Sequence, residues 1–473
     1  MKLIFKSLLL LFFILPITSK AQDVETRIKR IENSLTPRFQ IKGYPVPKFN
    51  IEERLKELGI PGISIAFVAN GKVEWARAYG MADVAEGQKM TPETLLLAGS
   101  ISKPVAALRA HQLVENGTFD LDGNVNQYLK SWQVPDNEFT AEEKVTLRRI
   151  LNHTAGLTVW GFPGYDKGDK VPSVVEVLDG KGNTDAVRVY KKPGESWQYS
   201  GGGYTIMQLM ITDTEGQSFP EIMQQNVLNP LGMEKSTFAN PLPEKYHDLA
   251  ATGYRTNGNE VEGKWPIYPE MAAAGLWTTP TQLIQYAIEI QKIYTSKKDG
   301  ILKSSTVDEM LTPGFNGHGL GPTVSDFSFG HGGADEGFRA NLTAWKDEPY
   351  ALVMMVNSDN SSIMEEVTMA IVNEYKLSGI EPLIREPIVI PEEELKKFVG
   401  TYKIADLGDV EIKLVDGKIT AVAPFINPTL TYLPSSKRVF FDTRNGSTMA
   451  FRIKRGEVIG FNAQGFYAEK LKD

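Results

Sequence analysis

The order of elements constrains this chain most: strand-like segments stand at both ends of a long stretch whose middle reads as helices and loops. At the front, residues 51–58 have helical spacing and residues 63–68 form an apolar run. Asn70-Gly71 is then a two-residue hairpin signal, and Val73, Trp75 and Tyr79 share one alternation after it. Residues 101–115 predict an alanine- and leucine-bearing helix that stops at Asn116-Gly117. Thr279-Pro280-Thr281-Gln282 predicts a capping box opening another, with Leu283, Ile284, Ala287 and Ile288 on one face. Short runs at 326–330, 338–345 and 351–356 read as strands, and 362–375 as a helix. One antiparallel sheet assembled from both termini of the domain, with the helices to one side, satisfies that order. The expected class is α+β with a mostly helical insert.

A chain of 473 residues exceeds one ordinary core. Near 391 the texture changes to short alternating runs punctuated by Asp416-Gly417, Asn445-Gly446 and Arg455-Gly456, which predicts a small all-β unit over 392–473. The proline-bearing stretch 381–391 is the expected linker, 22–45 a lead-in segment, and 46–380 the domain carrying the chemistry. Residues 1–21 read as a cleaved export signal: Lys2 and Lys6 precede an apolar run, and Ser19-Lys20-Ala21 offers small residues to a signal peptidase. That run is too short to span a bilayer, so no stable membrane insertion is expected. A secreted or periplasmic location follows, and the absence of cysteine removes disulfides, thiolate chemistry and a lipidated anchor. The net charge of −7, with no basic cluster, argues against nucleic acid as a partner.

Three short motifs carry the chemistry. Ser100 and Lys103 lie one helical turn apart, so both side chains can enter one cleft and an amine can take the hydroxyl proton. Ala98-Gly99 and Pro104 place Ser100 at a helix N-terminus, where backbone N–H groups favour developing negative charge; a plain capping serine is the alternative. Tyr199, in Tyr199-Ser200-Gly201, follows Pro193-Gly194 on a loop able to reach a cleft; a buried tyrosine with a satisfied hydroxyl is its alternative. Gly330, Gly332 and Gly333 flank His331 on a strand, which suggests close approach to the backbone by a substrate, or else a bulge. His111, His153, His247 and His318 show no zinc-ligand spacing, and a structural role is expected of each. Ser100 is not in G-x-S-x-G, which disfavours an α/β-hydrolase.

Together, Ser100-x-x-Lys103, Tyr199-x-Gly201 and His331-Gly332-Gly333 resemble the three motifs of serine β-lactamases and penicillin-binding proteins, nearest to the class C-related secreted hydrolases. The phrases 151–157, 229–233 and 274–280 support the likeness, which covers roughly residues 50–375, and the tail over 392–473 resembles the small β-barrel-like module often attached to such enzymes. The resemblance implies Ser100 as acylated nucleophile, Lys103 as proton acceptor or tuning cation, and Tyr199 sharing acid/base work. It implies an oxyanion hole from the backbone N–H groups of Ser100 and Ala334, substrate contacts at Gly201, His331, Gly332 and Gly333, and no cofactor or metal. Two positions depart from it. Gly201 stands where an asparagine commonly binds an acylamino group, and is expected to leave room for a different acyl group. His331, mostly neutral at pH 7, stands where a lysine attracts a carboxylate. Arg339 is a candidate for the missing cation, an ordinary surface arginine being the alternative. The expected activity is serine hydrolysis of an ester, amide or peptide; the alternative is a sensor that acylates but turns over poorly. Self-association through the C-terminal unit is the expected macromolecular contact, if any.

Overall fold

The computed structural model describes residues 15–405 and 407–471, side chains at 15–21, 427 and 428 excepted; most of the expected export signal lies outside them. The chain divides into two compact units: residues up to Glu32 with Asn50–Met364, and Asn33–Phe49 with Glu365 onward. No helix among the described residues is long and apolar enough to cross a membrane.

In the first unit, Gly62–Ala69 is buried along its whole length, which its apolar sequence dictates, and so it lies inside a sheet. Asn70 and Gly71 take φ of 54° and 71°, the left-handed pair that a tight hairpin needs, and Lys72–Asp83 returns antiparallel. The other neighbour of Gly62–Ala69 is the late strand Ala351–Val356, with Met354 opposite Ile65. Phe338–Trp345 and Ser328–Asp335 follow, and Gln88–Lys89 and Thr323–Val324 complete seven antiparallel strands. The two ends of the domain do meet in one sheet. One expected strand, 326–330, lies at Ser328–Asp335 instead, because the full ladder to Phe338–Trp345 holds its three glycines extended.

Helix Pro280–Ser296 packs on the two central strands, Gly62–Ala69 and Ala351–Val356. Thr279 Oγ1 accepts from Gln282 N, with Pro280 at the first helical position, but the box is only half made: Gln282 Oε1 accepts from Ser236 Oγ rather than from the cap backbone. Helices Ser102–Glu115 and Gly201–Glu215 are buried on nearly every face, which explains why neither shows a clean amphipathic stripe. Ser200 caps the second of these through Oγ to Gly203 N at 3.1 Å.

In the second unit, Phe39–Ile41 of the lead-in pairs in parallel with Leu383–Arg385. Eight antiparallel strands then close into a barrel, from Gly400–Ile404 to Phe466–Lys470, each paired with the next and the first with the last. Tyr402, Ile412, Ile419, Phe440 and Phe451 are in its buried core.

Candidate active site

Ser100 sits in a 3₁₀ turn, Gly99–Ile101, that runs directly into helix Ser102–Glu115. No side chain caps that helix, so capping is not what Ser100 does. Its Oγ lies 3.0 Å from Lys103 Nζ, which also donates to Ala273 O at 2.8 Å. Lys103 is buried, 2% exposed, and these two bonds aim its amine at the hydroxyl.

The strand bearing the third motif packs against the Gly99–Ile101 turn. A Cβ on Gly99 (φ +53°) would lie 2.5 Å from Ala334 N, and one on Gly333 would lie 2.0 Å from Ala98 O. Only glycine at both places lets Ala334 come beside Ser100. Protein backbone, not substrate, therefore accounts for Gly333, and likewise for Gly330, whose Cβ would meet Leu342 O at 1.9 Å. Gly332 alone of the three faces open space.

Aromatic rings gather around Lys103. Its Nζ lies 5.0 Å from the centroid of the Tyr199 ring, so the loop carrying Tyr199 does reach Lys103. His153 lies against Tyr199 at 4.1 Å and accepts from Ser200 N through Nδ1. His318 and His331 are each about 6 Å from the same ring, at 6.0 and 6.2 Å. His331 Nδ1 faces its neighbour's carbonyl, Gly332 O, so Nδ1 carries the proton and buried Nε2, without a partner, presents a lone pair. Burial, then Lys103, hold His331 down at about 3. It is neutral across the physiological range and supplies no cation. Burial also lowers His153 and His318, the latter helped by nearby Lys103. His111 and His247 fill the structural role expected, each bonded to a main-chain carbonyl. His153 and His318 lie in the ring cluster around Tyr199; nothing in their spacing signals it, though His153 lies in the phrase 151–157.

The other substrate-recognition expectations change. A Cβ on Gly201 would meet the Phe162 ring at 3.0 Å and Trp160 O at 3.2 Å, so glycine there admits protein and leaves no acyl pocket. Arg339 is held by Asp359 at 2.9 Å and donates to the carbonyls of Phe338 on its own strand and Asp335 on the neighbouring one, which answers the question of the missing cation in favour of a structural arginine. Sequence reasoning missed Trp160. It is 70% exposed, with its ring 5.8 Å from Tyr199, and follows Val159, a β-branched residue at φ +61°. That costly conformation is fixed by Ser200 Oγ and Gly202 N donating to Val159 O and by Gly201 N donating to Trp160 O.

Two buried acids border the site. Burial raises Asp335 to about 8 against the opposing pull of Lys103 and Arg339, and raises Glu270 to about 8. Glu270 is fully buried, and neither carboxyl oxygen has a partner among the described residues. A carboxyl that titrates near 4.5 unfolded and near 8 folded stabilises the fold below the first value and loses that contribution as pH rises through the second. Glu270→Gln is expected to melt with the wild type at pH 5 and several degrees above it at pH 8.5; parallel melting curves across that range would contradict the assignment.

A profile of the Beta-lactamase family matches residues 49–375, well over half of the chain. The chain belongs to the Beta-lactamase family. This Beta-lactamase family protein is 25% identical over 360 residues to Protein flp of Staphylococcus aureus strain MW2, covering 71% of this chain and 68% of that one. It is 23% identical over 320 residues to the putative penicillin-binding protein PbpX of Bacillus subtilis strain 168, covering 67% and 75%. The octameric penicillin-binding protein homologue from Pyrococcus abyssi superposes with a TM-score of 0.61 at 23% identity, over 88% of this chain and 98% of that one, and so shares its fold.

Proposed function

We propose that this family member is an exported serine hydrolase that forms an acyl-enzyme at Ser100 and prefers neutral, apolar acyl groups. The 3.0 Å contact between Ser100 Oγ and buried Lys103 Nζ carries the reading. Ser100 Oγ attacks the carbonyl carbon of an ester or amide while its proton passes to the Lys103 amine. The oxyanion forms beside the main-chain N–H groups of Ser100 and Ala334. The C–O or C–N bond then breaks, and the leaving group takes a proton from Lys103, with the Tyr199 hydroxyl assisting. Water repeats the sequence on the acyl-serine and releases the acid.

Neutral His331, paired Arg339 and the filled space at Gly201 leave little to recognise a carboxylate or an acylamino group. Exposed Trp160 offers an apolar platform beside Tyr199 instead. Trp160→Ala is expected to raise KM for a phenylacetyl ester about tenfold, the order of one buried ring contact, while leaving acetyl ester hydrolysis within about twofold. Equal effects on both esters would contradict the platform. The basic-then-apolar N-terminus supports export. The octameric state named for the Pyrococcus abyssi homologue supports self-association.

A further inference from the structure

The barrel of the second unit has one closed end and one open end, and its strand order says which is which. Phe398 lies two residues before the first strand, Gly400–Ile404, and packs tilted on Phe451 at 4.4 Å and edge-on to Phe440 at 5.2 Å. Leu395 and Phe398 thus plug the end at which that strand starts. In an up-and-down barrel every second hairpin lies at the opposite end: those after Ile404, Ala423, Asp442 and Ala463. Residues of all four line one cavity of about 310 Å³, among them Leu407, Phe425, Arg444 and Gln464.

Side-chain size explains the cavity. Aromatic rings fill the plugged end, whereas Val410, Ala421 and Ala463 point into the open half, too small to meet across it. Leu407, Phe425 and Phe466 stand 46%, 44% and 51% exposed at its mouth. Apolar walls give water few hydrogen bonds, and the volume falls at the lower edge of the ~300–1,000 Å³ of small-molecule sites. At roughly 30 Å³ per atom, the share of one water in the liquid, it takes on the order of ten heavy atoms.

Charge selects the head group. Among the described residues no acidic side chain lines the cavity, and the one cation there is Arg444. That guanidinium is anchored from behind by Asp442, which is fully buried, through Nε at 3.1 Å and Nη2 at 2.8 Å. Nη1 has no partner among the described residues and is the donor left for a ligand.

We propose that the C-terminal barrel is a binding cup for a medium-chain fatty carboxylate, its alkyl chain among Ala421, Leu430, Met449 and Phe461 and its head at Arg444. The site is separate from Ser100 and its test reads no hydrolysis. Titrating the full chain with decanoate, decanol and decyltrimethylammonium by calorimetry is expected to show one saturable site for decanoate, at least tenfold weaker binding of decanol, and none of the cation. Ala463→Trp, at the half-buried rim, is expected to weaken decanoate at least tenfold with an unchanged melting temperature. The pair Arg444→Gln with Asp442→Asn removes the cation without stranding a buried carboxylate, and is expected to bring decanoate down to the affinity of decanol. Absence of saturable decanoate binding, equal binding of the three amphiphiles, or undiminished binding by the Ala463→Trp protein would overturn the proposal.

Discussion

Ser100→Ala is expected to abolish covalent labelling by a fluorophosphonate and to lower ester hydrolysis by at least about 10³-fold, the scale on which removal of a nucleophile acts in other serine hydrolases. The expectation rests on a hydroxyl that caps no helix and whose one close side-chain partner is a buried lysine. The substitution should leave the fold unchanged, because Ser100 Oγ bonds to no main-chain group. Retained labelling in a protein with wild-type melting behaviour would assign the chemistry elsewhere.

Gly333→Ala carries the second large effect. Its new methyl group would lie 2.0 Å from Ala98 O, and neither atom can yield without moving backbone. The third-motif strand must then draw back from the Gly99–Ile101 turn and take Ala334 with it. If Ala334 N and Ser100 N together stabilise the oxyanion, kcat should fall by about 10²- to 10³-fold while KM changes little. A kcat within twofold of the wild type would show that the oxyanion does not use this strand. The melting temperature should change by only a few degrees, since the shift is local to one strand end.

Five of the sheet's seven strands were legible, one of them with shifted bounds, because each declares itself locally; the two-residue edge strands Gln88–Lys89 and Thr323–Val324 are too short to do so. An apolar run, an Asn-Gly turn and a run of period two need no knowledge of the rest of the chain, and their order then leaves one economical topology. That the C-terminal unit is all-β was legible for the same reason, from its turn dipeptides, whereas its barrel form was implied by the family resemblance. The spacing of Ser100 and Lys103 could be read because one helical turn fixes it.

What could not be read depends on contacts between distant segments. Gly333 reads as an approach by substrate until Ala98 O is found against it, and Gly201 as empty space until Phe162 fills it. His318 enters the site only because its loop folds beside Trp197 and His153, 5.2 and 5.1 Å away. Trp160 owes its place to a strained Val159, which nothing in its neighbours' sequence announces. Glu270 and Asp335 look like ordinary surface acids until burial raises them.

The acyl-enzyme is the account's central claim, and mass spectrometry of the enzyme quenched during turnover of a p-nitrophenyl phenylacetate tests it most directly. Intact protein should gain the mass of one phenylacetyl group, a burst of p-nitrophenol should match the enzyme concentration, and digestion should place the acyl group on the peptide containing Ser100. Persistent acylation without steady-state release would mark a sensor that acylates and stops. Steady turnover with no adduct, or an adduct on another residue, would contradict the account.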